Sequence, residues 1–203
     1  TSLKTGDDWR YQTHMMNQPL YWEWGGNENI DLNGAVPEFT FEYSDNYKNI
    51  LDLYLNNSVT EPNLVGTKTV DDSMAEFALG QCAMIQNGDW AWNTIANTDG
   101  RVVEDENVVF IPISCGVEGE ENMGLNVGGS QYMCINSQAS EEDQAAAEEF
   151  LVWLFSSDTG KQLVAEKLQF VTPFSTMSDA TYTNPLYASE AAITEAGKTA
   201  YCW

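Results

Sequence analysis

The stretch from residue 75 to residue 92, A-E-F-A-L-G-Q-C-A-M-I-Q-N-G-D-W-A-W, most constrains the fold because it joins three local signals. A helical pattern ends at Gly80, a residue type that favours helix C-termini. Residues 82–86 form a short apolar run that predicts a buried strand. The turn that follows predicts Asp89 as the cap of a second helix beginning at Trp90. A large aromatic side chain is thus expected at the end of a strand, where open α/β sheets hold ligands.

Other segments add strands and a second aromatic of the same kind. Residues 107–114 and 131–135 are apolar runs that predict strands. Near the start, Asp8 is expected to cap a helix whose first turn carries Trp9, which repeats the setting of Trp90. The sequence has no internal repeat, Gly-rich phosphate loop or nucleophile elbow.

The charge balance excludes some partners. The 203 residues carry 31 acidic against 8 basic side chains, for a net charge of −23. Such a surface repels phosphate backbones and anionic lipid, so we expect no nucleic-acid partner. The charge is compatible with a cationic ligand such as a polyamine, or it serves only to keep the protein soluble. The length suits one substantial domain or two small ones, and no apolar segment is long enough to span a membrane.

The cysteines predict no metal site. Cys82, Cys115, Cys134 and Cys202 form no Cys-x-x-Cys pair, and the single histidine, His14, has no cysteine near it in the sequence. We therefore expect no structural zinc and no cofactor. Whether one disulfide forms stays open, because connectivity cannot be deduced from the sequence.

The motif M-I-Q-N-G-D-W-A-W, together with the helix A-E-F-A-L-G-Q before it, resembles the signature of the sugar-binding proteins of bacterial ABC importers, extracellular solute-binding protein family 1. The later string A-A-A-E-E-F-L-V-W-L-F-S-S-D-T-G-K-Q is similar to a helix pair of that family. The resemblance implies an α/β fold of the periplasmic-binding-protein type II, in which two lobes close around a ligand. It assigns residues 1–127 mostly to the C-terminal lobe, 128–177 to an interlobe crossover with a strand and a helix pair, and 178–203 to a partial C-terminal segment.

The resemblance also implies which residues contact the ligand. Trp90 matches the family position that stacks on a sugar ring, and Trp9 or Tyr21 would supply a second aromatic face. The residues expected to hydrogen-bond the sugar or line its cleft are Asp8, Asp89, Asn126, Gly128, Gly129 and Ser130. The alternative for Trp90 is a packing role within its lobe, which is the commoner use of a tryptophan.

The function that the resemblance implies is non-enzymatic capture of a carbohydrate outside the cytoplasmic membrane, either free in a periplasm or tethered by lipid. The expected partners are an oligosaccharide, the permease subunits of an ABC importer and the remaining part of the same solute-binding fold. Two alternatives stay open. One is a polyamine or another small solute bound by the same fold; the other is a glycosidase, which needs two carboxylates roughly 5 to 9.5 Å apart.

Overall fold

The protein is built mainly from short helices. The computed structural model describes residues 2–25, 38–127, 132–172 and 174–201. Within these ranges the α-helices are α1 (Asn17–Glu23), α2 (Ser44–Asn56), α3 (Val70–Ala78), α4 (Trp92–Ala96), α5 (Glu141–Ser156), α6 (Asp158–Gln162) and α7 (Pro185–Glu195). Tyr11–Met15 and Leu163–Leu168 are π-helical, and the 3₁₀ turns include Pro62–Thr67 and Asp89–Ala91. Strands β1 (Leu125–Val127) and β2 (Thr199–Tyr201) form a parallel pair.

The chain divides into two compact units. The first comprises Thr1–Gly128 with Ala188–Trp203, and the second comprises Gly129–Tyr187. In the first unit Met15, Ile50 and Cys115 form a buried cluster, ringed by partly buried residues that include Tyr11, Trp22 and Tyr54. In the second unit Leu154, Val164, Ala165 and Met177 form the buried cluster. The predicted division at residues 127 and 177 remains a prediction.

The helix before the aromatic motif follows its local signals. The Thr69 side chain accepts a hydrogen bond from the Asp72 backbone, and Asp72 accepts one from the Thr69 backbone, so α3 begins with a complete capping box. The helix ends before Gly80, whose φ of +68° lies in the left-handed region that glycine tolerates. The predicted end of this helix at Gly80 is confirmed.

The predicted strands are wrong within the described residues. Residues 82–86 form no strand, and Met84 is 68% exposed where a buried strand was expected. Residues 108–114 and 132–135 also lack strand pairing. An apolar run can favour an extended backbone, but a strand also needs a neighbouring backbone to bond to. The Phe110 N–H, for example, donates to the Ser189 side chain at 3.0 Å. Among the described residues, the expected α/β character is limited to β1 and β2.

None of the helices that the structure describes combines the length and the apolar character needed to cross a bilayer.

The corner between α5 and α6 requires a glycine. A Cβ on Gly160 would lie 2.5 Å from the backbone oxygens of Trp153 and Leu154, and backbone atoms cannot move aside as a side chain can. We expect Gly160→Ala to lower the free energy of unfolding by about 1–3 kcal/mol, the usual cost of overpacking. Urea denaturation measures this change. Gly66→Ala is the matched control because its added Cβ meets nothing within 4 Å; an equal loss in both variants would contradict the steric explanation.

Candidate functional site

Trp90 is exposed while its neighbour in the motif is buried. Trp90 is 51% exposed, whereas Trp92, two residues later at the start of α4, is 4% exposed. Residues two apart in a helical turn point to different sides, so the W-A-W spacing divides the two indoles between surface and core. The packing role that the sequence left open for Trp90 is filled in this unit by Trp92.

The turn before Trp90 differs from the predicted one. Gly88 is the N-cap residue of the 3₁₀ turn Asp89–Ala91, and α4 begins only at Trp92. The prediction that Asp89 caps a helix starting at Trp90 is wrong, because the inserted 3₁₀ turn moves the start of the α-helix. The Asp89 carboxylate instead accepts a hydrogen bond from the adjacent Trp90 N–H at 2.9 Å.

The Trp90 ring folds back over the Gly88 backbone. A Cβ on Gly88 would approach two carbons of the indole ring to 2.2 Å. The φ of Gly88 is −101°, which any residue can adopt, so the glycine is needed here for space rather than for backbone freedom. Because residue 88 has no side chain, the Trp90 indole can occupy this position over the backbone.

Trp9, one of the two residues considered for a second aromatic face, lies beside Trp90. Their ring centroids are 6.2 Å apart and their planes are inclined by 32°. Trp9 is 39% exposed. A ligand ring between two aromatic faces needs about 7–8 Å, since each carbon contact takes about 3.5–4.0 Å. Trp9 and Trp90 thus form one aromatic surface, called here the indole platform, and do not form a clamp.

His14 completes this aromatic cluster and was not predicted as a site residue. Its ring centroid lies 5.2 Å from that of Trp9, edge to face, and 6.2 Å from that of Trp90. The His14 Nδ1 atom lies 2.7 Å from the Gln86 side-chain nitrogen. Burial, with the nearby Arg10 guanidinium, lowers the pKa of His14 below its ordinary value. The imidazole is therefore neutral at neutral pH.

A π-helical turn explains why His14 meets Trp9. The Met16 N–H donates to the Tyr11 carbonyl five residues earlier, at 3.0 Å. Such an i→i+5 bond widens the turn, so residues five apart come close, whereas α-helical spacing separates them. The sequence offered no signal for this, since an α-helical pattern would have placed His14 away from Trp9.

Asn126 connects β1 to the segment that carries the platform. Its side-chain nitrogen donates to the His14 carbonyl at 2.9 Å, and its side-chain oxygen accepts from the Gln18 amide. Gln18 is 1% exposed. Both ends of the Asn126 amide are thus bonded to protein, and its contact with a ligand stays a prediction.

Asp8 lies at the start of the same helical segment but does not cap it through its side chain. Its two carboxylate oxygens accept from the Gly6 N–H at 3.1 Å and from the Gln12 side chain at 2.9 Å. The Tyr11 N–H bonds to the Asp8 backbone carbonyl at 3.0 Å. The predicted side-chain cap is therefore wrong, because both carboxylate oxygens of Asp8 bond elsewhere.

The remaining predicted residues are elsewhere or outside the description. Tyr21 lies in α1 and lines a crevice of about 230 Å³ with Trp22, Asn122 and Met123. Neither indole of the platform lines that crevice. Gly128, Gly129 and Ser130 lie outside the described residues. Tyr21 is therefore not part of the platform, and the contributions of Gly128, Gly129 and Ser130 stay predictions.

Two acidic side chains next to the platform are partly withdrawn from water. Burial raises the pKa of Asp89, although its hydrogen bond from the Trp90 N–H acts in the opposite direction. Burial, with repulsion from Asp89, raises the pKa of Glu190 in α7 to about 7. One oxygen of Glu190 is buried without a hydrogen-bond partner among the described residues. The ionised form of Glu190 is therefore disfavoured in the folded protein.

We expect stability to depend on pH through Glu190. The folded protein binds this proton more tightly than the unfolded chain, so the contribution is full below about pH 4.5 and is lost as pH rises through about 7. Glu190→Gln cannot ionise and so keeps this contribution at all pH values. After allowance for solvent screening, its free energy of unfolding should exceed that of the wild type by about 1 kcal/mol at about pH 8 and should equal it at about pH 4. Urea denaturation at both pH values measures the difference. Glu195→Gln, an exposed change in the same helix, should leave the pH profile unchanged.

Gly88→Ala should displace the Trp90 ring without unfolding the protein. The three atoms nearest the added methyl group all belong to the exposed Trp90 side chain, so we expect a cost in unfolding free energy below about 1 kcal/mol. Two indoles at 6.2 Å should give a coupled circular-dichroism signal. This signal, identified by its loss in Trp90→Phe, should also weaken in Gly88→Ala. An unchanged signal would show that Gly88 does not position the ring.

Comparison with known proteins identifies the family. A family model described as bacterial extracellular solute-binding protein matches residues 3–195. The search of curated proteins and the search of solved structures found no match. Proteins of this family are generally non-enzymatic solute-binding components of transporters, have the periplasmic-binding-protein fold and act outside the cytoplasm. Because the match covers nearly the whole chain, this protein belongs to the bacterial extracellular solute-binding protein family.

Proposed function

We propose that this protein captures a carbohydrate, most simply an oligosaccharide, and delivers it to the permease of an ABC importer. The observation that carries the proposal is the indole platform, because Trp9 and Trp90 are 39% and 51% exposed and lie side by side. Contiguous exposed apolar surface marks a binding site more often than singly scattered apolar side chains do. Family membership supports the transport role, and the platform supports a ligand with an apolar ring face.

The chemistry of a sugar suits this surface. One face of a pyranose ring presents C–H groups that pack against an indole, and its rim presents hydroxyl groups that need hydrogen-bond partners. Asp89 lies next to Trp90 and supplies a carboxylate at the edge of the platform. Asp8 supplies another carboxylate one residue before Trp9. Stacking would provide most of the affinity, and unpaired polar groups would penalise a ligand of the wrong shape.

The wider arrangement belongs to the same proposal. The ligand would lie in a cleft between two lobes, with residues 1–127 mostly in the C-terminal lobe, and lobe closure would mark the loaded state for the permease. The protein would act on the outer side of the cytoplasmic membrane, free in a periplasm or anchored by lipid. It would perform no catalysis.

A polyamine is the second candidate, and the pair Asp89 and Glu190 favours it. Each of these carboxylates has a raised pKa, and repulsion between them contributes to that of Glu190. A bound ammonium group would offset that repulsion, and an aromatic face beside it suits a cation. Ionic strength separates the two candidates, since it weakens the binding of a cation and hardly affects that of a neutral sugar.

The test is calorimetric titration of the intact protein with maltotriose, cellotriose, chitotriose and spermidine. We expect one trisaccharide to bind with an affinity that is unchanged between about 0.05 and 0.5 M salt. Trp90→Ala should weaken it about 30-fold or more, because loss of a stacking indole costs about 2 kcal/mol.

Trp153→Ala is the matched control, because Trp153 is also about 40% exposed but belongs to the second compact unit. The Trp153→Ala variant should bind the trisaccharide with the same affinity as the wild type. Binding of spermidine alone, lost at high salt, would replace the carbohydrate by a polyamine. Equal losses in both tryptophan variants would show that the platform is not the site.

A further inference from the structure

His14 occupies a position from which it can reach a ligand on the indole platform. Its imidazole contacts Trp9 edge to face at 5.2 Å and lies 6.2 Å from Trp90, so it borders both rings. An apolar aromatic ring could fill the same space, so the nitrogens of the imidazole call for a separate explanation. The two nitrogens of His14, however, are in different surroundings.

One nitrogen is bonded inside the protein. Gln86 approaches Nδ1 with its side-chain nitrogen at 2.7 Å. With the Gln86 nitrogen toward Nδ1, that ring nitrogen is the acceptor, while the Gln86 side-chain oxygen is buried without a hydrogen-bond partner among the described residues. A neutral imidazole that accepts at Nδ1 carries its proton on Nε2. We therefore infer that this pairing with Gln86 favours the tautomer in which Nε2 is the donor.

The other nitrogen faces solvent. Among the described residues, none accepts a hydrogen bond from Nε2 of His14. Some side-chain atoms in the described part of the chain are buried without a hydrogen-bond partner, and Nε2 of His14 is not one of them. His14 is partly exposed, so its outward N–H reaches water at the border of the platform.

We propose that His14 is a ligand-contacting, specificity-determining residue, whose Nε2–H donates a hydrogen bond to an oxygen of the ligand that lies on the indole platform. This inference rests on the proposed function and deepens it. The ligand must present an acceptor oxygen where the two indoles meet the imidazole. A ligand that lacks this oxygen would leave the N–H covered and unpaired, which penalises binding.

Burial, with the Arg10 guanidinium, keeps the imidazole of His14 neutral by lowering its pKa. Arg10 lies on the same helical segment and is paired with Asp7 at 3.4 Å, while Asp89 lies next to Trp90 and interacts with Glu190, whose pKa is about 7. A ligand that covers the imidazole would lower its pKa further. Affinity should therefore fall as acid protonates His14, and a change near pH 7 that remains in His14→Phe belongs to Glu190.

The first measurement is nitrogen NMR of the imidazole, which is unambiguous because the protein has one histidine. The free protein should show Nε2 protonated and Nδ1 unprotonated at neutral pH. Addition of the trisaccharide that binds most tightly should shift the Nε2 signal and lower the pKa of His14. A proton on Nδ1, or no change at Nε2 on saturation, would overturn the assignment of His14 as a donor.

The second measurement uses His14→Phe, which keeps an aromatic ring between the indoles and removes both nitrogens. Its affinity for the same trisaccharide should fall about tenfold, as expected for one buried hydrogen bond, and should lose the decrease in acid that His14 causes in the wild type. Tyr54→Phe, which alters a hydroxyl elsewhere in the same compact unit, is the matched control and should bind like the wild type.

The outcomes separate this inference from the function on which it rests. If His14→Phe binds as tightly as the wild type while Trp90→Ala does not, the role of His14 is refuted and the carbohydrate platform stands. If the wild type binds none of the three trisaccharides, both are refuted. If His14→Phe loses affinity but keeps the pH dependence of the wild type, the contact through Nε2 is also refuted.

Discussion

The buried amide of Gln18 is the interaction on which the candidate site depends. An amide withdrawn from water is costly unless it finds partners inside the protein. The side-chain nitrogen of Gln18 donates to Asn126, and Asn126 in turn donates to the His14 carbonyl at 2.9 Å. The side-chain oxygen of Gln18 is buried without a hydrogen-bond partner among the described residues. This chain of amides ties α1, β1 and the π-helical turn together. Trp9 and His14 belong to the segment to which Asn126 bonds. The position of the indole platform therefore depends on this hydrogen-bond network as well as on apolar packing.

A feature of this structure could be predicted from the sequence when it depends on residues that are neighbours in the chain, and could not be predicted when it depends on distant ones. The end of α3 at Gly80 was predictable, because a helix terminus is decided by neighbours in the sequence. The strand expected at residues 82–86 was not, because pairing depends on a distant backbone and an apolar run does not reveal it. Trp90 and Trp9 were both named as site residues from their local settings, and the structure brings them together.

His14 shows the other limit of sequence reasoning. Its approach to Trp9 requires an i→i+5 hydrogen bond, which no residue type in the segment announces. The His14 carbonyl also accepts a hydrogen bond from Asn126 of β1. One residue therefore both borders the indole platform and joins its segment to the strand. Such departures are frequent at functional positions, which is consistent with a role for this turn beyond packing.

The surroundings of Trp9 bear on which ligand the platform accepts. The Arg10 guanidinium lies 4.4 Å from the centre of the Trp9 ring and donates to Asn87, so a cation of the protein already occupies that attractive position. A polyamine would have to compete with a tethered guanidinium that is 9% exposed and paired with Asp7. The exposed Trp90 ring carries no such cation among the described residues. A neutral ring that presents C–H groups to Trp90 and an oxygen to His14 would not compete with Arg10. Arg10 therefore counts against a polyamine at Trp9, whereas the carboxylates Asp89 and Glu190 would attract one.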